Sequence, residues 1–324
     1  MNVTDLDGKE IYLEDARELI AEGVASTPTR IILRETEGAT IIDELHYADF
    51  EGKIRLDFGD LLAWYSHDSL PSSSNTVFDA DACLDLTLVV GSNSYEFTFY
   101  AASRDAESMI SDIDFLFIPE NLSLPVSFLF KGGGTEVNVF LESATGRTLI
   151  SSLPTSGLAN GMLSMLFDIG SLPAGKSNFR LEYEVPRDFT TVFLRSPMYK
   201  VAPGDYELYL FKNRFGAMEV FPMRGAIEYV PTFNIETGRS GRSYRCTNVE
   251  SDDILQQSSG NLTRKAAQVL TSFLRNGRGY HWTNEAWEPI VIEDINATIK
   301  TTDTMHRLSF SFRYQNPIET HNIM

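Results

Sequence analysis

Apolar and polar residues alternate with a period of two over many short runs of this chain, and Gly, Asn, Ser and Pro separate those runs. The densest stretch is 206–230. There Tyr206, Leu208 and Leu210 alternate with Glu207, Tyr209 and Phe211, and the pattern resumes at Met218 to Phe221. The intervening Lys212-Asn213-Arg214-Phe215-Gly216 predicts a tight turn, with Asn213 and Gly216 suited to left-handed backbone. Upstream, Ile31 to Leu33, Thr40 to Ile42, Lys53 to Phe58, Leu84 to Val89 and Tyr95 to Tyr100 predict strands at short, regular intervals. Val126 to Phe130, Glu136 to Glu142 and Thr148 to Ser151 continue the series, with turns at Gly132-Gly133-Gly134 and Gly146-Arg147. Hairpins in series of this kind argue for a sandwich of antiparallel sheets.

A few segments break the period. Leu13 to Ala21 reads as a short helix on an extended arm, stopped by Ser26-Thr27-Pro28. Gly59 to Tyr65 predicts a helical turn, and 70–75 a surface loop. Leu262, Ala266, Val269, Leu270 and Phe273 recur at helical spacing, with Ser259 or Asn261 as the expected cap and Gly277 as the stop. Two strands follow this helix, and Leu308, Phe310, Phe312 and Tyr314 form the cleanest two-faced strand of the chain. The predicted class is mainly β, with antiparallel β-sandwich domains and a smaller C-terminal α+β part. Its expected divisions are an N-terminal arm at 1–28, a β-domain at 29–118, a β-sandwich domain at 119–233 and an α+β domain at 234–324. The last boundary is placed at the polar, Gly-rich run Gly238-Arg239-Ser240-Gly241-Arg242.

Composition narrows the functional classes. At 324 residues and 43% apolar content, the chain can bury more than one core. The formal charge of −18 repels phosphate backbones and argues against sequence-specific nucleic-acid binding. No run approaches the ~20 apolar residues of a membrane span, and the N-terminus lacks the basic head and apolar run of a secretory signal, so no membrane partner is expected. Cys83 and Cys246 fit no metal or disulfide spacing and read as buried thiols.

Candidate chemistry is sparse. His46, His67, His281, His306 and His321 are scattered without metal-ligand spacing, and no Gly-x-Ser-x-Gly elbow occurs. Gly132-Gly133-Gly134 lacks the Lys-Ser or Lys-Thr of a phosphate loop and reads as a hairpin turn. Asp79, Asp81 and Asp85 alternate as a solvated strand face, without the Gly and closing Glu of a calcium loop. No catalytic, cofactor-binding or metal residue is therefore assigned, and no enzyme is expected. The expected contact residues are Arg239, Arg242 and Arg245, as partners for carboxylates of a neighbouring copy, and the aromatic cluster Tyr280, Trp282 and Trp287. That cluster also suits a sugar- or receptor-binding module, the alternative reading.

The run Leu210-Phe211-Lys212-Asn213-Arg214-Phe215-Gly216-Ala217-Met218-Glu219-Val220-Phe221 resembles a signature of structural proteins from tailed phages and prophages of Bacteroides-like bacteria. Asn213, Arg214 and Gly216 carry the motif, while Phe211 and Val220 stand where the signature usually has Trp. Ile41 to Tyr47 with Gly52-Lys53-Ile54 is similar to the opening strands of those proteins, and Trp287 to Ile292 with Leu308 to Tyr314 to their closing ones. The resemblance implies a tail, collar or neck-ring protein made in the host cytoplasm and built into the virion. Its implied partners are copies of itself in a ring and other virion proteins, with DNA passing through the assembly.

Overall fold

A computed structural model describes residues 1–24, 27–65, 76–79, 82–119, 122–132, 134–144, 146–168, 178–187, 190–202, 204–240, 243–283, 286–300 and 302–315. The protein is mainly β, as the period-two pattern predicts, with multiple antiparallel sheets. It divides into two compact units interleaved along the chain. The first comprises Met1–Ser111, Ser123–Met198 and Lys212–Met218; the second comprises Asp112–Leu122, Tyr199–Phe211 and Glu219–Met324. The expected consecutive divisions at 118 and 233 are replaced by this interleaving. Sheet pairing joins residues distant in sequence, which a linear reading of turn composition does not reveal.

In the first unit, β1 (Lys9–Tyr12), β3 (Thr29–Glu35), β4 (Thr40–His46), β7 (Cys83–Val90) and β8 (Asn93–Tyr100) form a sheet in the order β1-β8-β7-β3-β4. Pairing is antiparallel except between β1 and β8. Ile31, Leu33, Leu86, Leu88, Phe97 and Phe99 join a core with Val3, Leu6, Ile11, Ala16, Leu19 and Ala21. The segment expected as a free arm is thus buried in its own unit. Its helix is also shorter than expected: α1 spans Leu13–Ala16, and Leu19–Ala21 is instead β2, paired with β5 (Ile54–Leu56). The apolar residues of this segment follow neither a strand nor a helix period, so their burial is not legible as amphipathicity. The expected helical turn is present as α2 (Gly59–Tyr65).

Downstream, β6 (Thr76–Asp79), β10 (Ser123–Phe130) and β13 (Gly161–Asp168) make a three-stranded sheet. The strands β11 (Glu136–Ser143), β12 (Gly146–Pro154), β14 (Asn178–Arg187) and β15 (Thr190–Arg195) pair in the order β12-β11-β14-β15. Val137, Val139, Leu141, Leu181, Tyr183 and Val185 are buried, and the Phe128 ring lies 4.9 Å from that of Tyr183, joining the two layers. The alternate residues make a charged ladder in which nearly buried Glu182 receives Arg147 at 2.9 Å and Arg195 at 2.8 Å.

In the second unit, β9 (Phe115–Ile118) pairs with β16 (Met198–Val201). A seven-stranded sheet is built from β17 (Glu207–Lys212), β18 (Met218–Met223), β19 (Ile227–Ser240), β20 (Ser243–Ser258), β21 (Arg278–Thr283), β22 (Ala286–Ala297) and β23 (Leu308–Tyr314). Its order is β18-β17-β21-β22-β23-β20-β19. The expected helix is α3 (Arg264–Arg275), whose cap is Thr263 rather than Ser259 or Asn261: Ala266 N donates to Thr263 Oγ1 at 3.3 Å. Ala267, Leu270, Phe273 and Leu274 are its buried stripe, and Phe273 meets Phe211 at 5.9 Å and Phe221 at 6.4 Å. Within the Gly-rich run expected as a domain boundary, Gly238 to Ser240 instead end β19, which pairs with β20; 241–242 lie outside the described residues. A polar Gly-rich run marks a hairpin turn as readily as a linker.

Candidate functional site

The longest strands among the described residues, β19 and β20, pair from Ile227↔Gln257 to Ser240↔Ser243. On its other side β20 pairs with β23 only from Leu255 to Ser258. Beyond Leu255 the hairpin continues as a two-stranded ribbon with no third strand among the described residues. From Ser243 to Ile254 this is about 40 Å of chain at the usual strand rise. Isolated two-stranded ribbons are marginal in water, because neither face acquires a packing layer.

The ribbon's root is firmly held. Gln257 is fully buried, accepts from the Tyr209 hydroxyl at 2.8 Å, and donates to the carbonyls of Gly225 at 2.9 Å and Ser258 at 2.6 Å. A Cβ at Gly225 would stand 2.0 Å from Ser258 O, so the chain closes here only with glycine. Tyr229 and Val230, just above the root, are solvent-exposed. Of the expected contact residues, Arg239 and Arg245 lie at the far end, where Arg239 pairs with Tyr244 and Gly238 with Arg245. Arg242, between the strands, lies outside the described residues. Sequence places three Arg and no carboxylate over 237–249.

Tyr280 and Trp282 share one face of β21, opposite Pro289 and Trp287 of β22. The indoles of Trp282 and Trp287 meet edge-on, 5.1 Å apart and inclined by 63°, so the two rings do not form one flat stacking platform. His281 points to the other face. Its Nε2 lies 2.9 Å from Glu207, its Nδ1 lies 2.8 Å from the Tyr314 hydroxyl, and its ring stacks on Tyr209 at 4.7 Å. The bond to His281 holds the Glu207 carboxyl below the usual range, against the opposing effect of burial.

The hairpin motif organises its turn through side chains. Asn213 Oδ1 accepts from Phe215 N at 2.9 Å and Ala217 N at 3.1 Å, while its Nδ2 donates to Ile110 O at 2.8 Å. Gly216 adopts φ 74°, as expected of the turn. Arg214 reaches Asp105 at 2.9 Å and lies over the Phe215 ring at 4.4 Å. Phe215 packs in a small core with Tyr12, Tyr100, Leu129 and Met162.

Sequence reasoning missed the polar cluster beside that core. Lys131 Nζ donates to Glu10, to Glu107 at 3.2 Å and to the Tyr12 hydroxyl at 3.3 Å; Tyr12 donates to Glu107, and Tyr100 donates to Glu10 at 2.9 Å. Asn160 Nδ2 donates to the Tyr100 hydroxyl at 2.7 Å. Burial and the Glu107 bond push Tyr12 up to about 12, and burial and Asp85 push Cys83 up to about 12. Burial opposes the Lys131 charge, yet Glu10, Tyr12 and Glu107 outweigh it and raise its pKa. At neutral pH these groups hold their protons, which suits a hydrogen-bonded brace rather than proton transfer. Directly bonded partners in it lie as much as 121 residues apart, so no local motif could have signalled it.

The cleft lined by Met1, Arg17, Glu18, Arg55 and Asp57 mixes two guanidinium groups with two carboxylates, and Arg17 is already paired with Asp60 at 2.6 Å. Among the described residues no group of three His, Cys, Asp or Glu side chains is placed to hold a metal ion. The calcium reading cannot be followed at Asp81, which lies outside the described residues; Asp85 accepts from Thr98 at 2.7 Å. Among the described residues no helix is long and apolar enough to cross a membrane. No protein-family model matches the chain, and no curated protein is significantly similar to it in sequence.

Proposed function

We propose that this protein is a structural component that assembles with copies of itself, as a tail, collar or neck-ring protein of a tailed phage. The observation that carries the reading is the β19–β20 ribbon: a rigid root and two strands continuing well past the sheet that anchors them. A ribbon of that length gains a packing layer when another chain supplies it. The chain's acidity supports the same reading, because a chain of net charge −18 repels its own copies unless contacts are charge-paired or apolar, and the ribbon's end concentrates Arg. The resemblance of the β17–β18 hairpin to phage structural proteins supplies the biological setting.

Quantitative mass spectrometry of purified phage particles from a host carrying the gene tests this. The chain is expected in many copies per particle. Its absence from particles would overturn the virion assignment.

A further inference from the structure

The division of the chain into two units cuts through one hairpin. Its strands β17 and β18 are neighbours in the seven-stranded sheet and lie in the second unit up to Phe211 and from Glu219 onward. The turn that joins them, Lys212–Met218, belongs to the first unit. The strands are fixed where they lie: Tyr209, Phe211 and Phe221 are fully buried, Tyr209 stacks on His281, and Phe211 and Phe221 meet Phe273 of α3.

The turn is fixed just as firmly within the first unit. Phe215 is 1% exposed in its small core with Tyr12, Tyr100, Leu129 and Met162. Ser103 N donates to Arg214 O at 2.9 Å, and Asn213 Nδ2 donates to Ile110 O at 2.8 Å, directly before the chain leaves the first unit at Ser111. The backbone of the same residues closes the hairpin, with Asn213 N donating to Ala217 O at 2.8 Å and Gly216 N to Asn213 O at 3.0 Å. One short turn therefore meets two demands: its backbone sets the register of strands in the second unit, and its side chains complete a core of the first.

Compact units with cores of their own are expected to open separately unless something ties them together. We infer that the Lys212–Met218 turn is that tie, and that it joins the unfolding of the two units into one transition through the continuity of the chain. When the first unit opens, Phe215 loses its packing and the turn is released from Ser103 and Ile110. When the second opens, the strand ends that hold the turn's backbone come free, and the geometry that presents Phe215 goes with them. The interactions of the turn thus count toward the stability of both units at once, which is the condition for cooperative unfolding.

Scanning calorimetry of the full-length protein tests this, run at two concentrations so that dissociation of assembled copies, which moves with concentration, is told apart from unfolding within a chain. The parent should melt in one transition whose van't Hoff and calorimetric enthalpies agree. Phe215→Ala should split it in two, the first unit melting about 10 °C earlier and the second close to the parent's temperature. Leu88→Ala is the control: Leu88 is fully buried in the other core of the first unit, away from the turn, so that variant should melt earlier by a similar amount but still in one transition. Phe215→Leu, which guards against a Phe215→Ala variant that does not fold, should split the transition by a smaller gap. Two transitions already present in the parent would overturn the inference, and so would a single transition in both Phe215 variants like that of Leu88→Ala.

Discussion

Gly216 shows how tightly single residues are set in the hairpin motif. At φ 74° any side chain is strained, and an added Cβ would lie 2.8 Å from Ala101 O and 3.0 Å from the Met162 methyl. Gly216→Val should therefore lose on the order of 3 kcal/mol in denaturant unfolding, at the upper end of the usual range for a strained backbone. Asn213→Ala should cost a comparable amount, since it orphans the buried amides of Phe215 and Ala217 and the carbonyl of Ile110. Unchanged unfolding in both variants would show that the motif is not a folding device. Glu207 gives a pH-dependent test. Its folded pKa lies below the ordinary 4.5, so its contribution is fully present above that value and is lost as pH falls through the depressed one. Between neutral pH and about pH 3, the parent should lose more melting temperature than Glu207→Gln does. Equal losses would mean that the His281 contact adds nothing.

At the scale of elements, legibility followed periodicity. The strand β23 and the helix α3 repeat cleanly because each has one face on a core, whereas β17 and β18 are buried on both faces and are located by their dense apolar and aromatic runs. The segment from Val3 to Ala21 is buried without any such repeat, since it winds through a one-residue bridge, a short parallel strand, a single helical turn and a three-residue strand. Its burial comes from the sheet it lies on, not from its own pattern. The Thr263 cap was displaced from the expected Ser259 because that hydroxyl is engaged elsewhere: Ser259 Oγ accepts from Leu308 N at 3.0 Å. The ribbon illustrates the converse. Its residues read as a connector because Gly and Ser dominate the turn, while the strands that flank it extend well beyond that run.

For the whole molecule, alternation was enough to predict a mainly β protein, whereas the interleaved division was not legible. Pairing of β17 with β21 joins Tyr209 to His281 across about half of the second unit's sequence, and nothing local records that partnership. The same limit applies to function: Arg239, Arg242 and Arg245 are visible as a basic run, but the pairing that puts Arg239 and Arg245 near the end of the β19–β20 hairpin is a property of the fold. The central claim is that this ribbon drives self-assembly. Sedimentation of the full-length protein and of R239E/R242E/R245E at matched concentrations tests it most directly. The parent should sediment as a multiple of 36.4 kDa and the variant as a single chain of equal thermal stability. A parent that stays at 36.4 kDa at every concentration would contradict the claim.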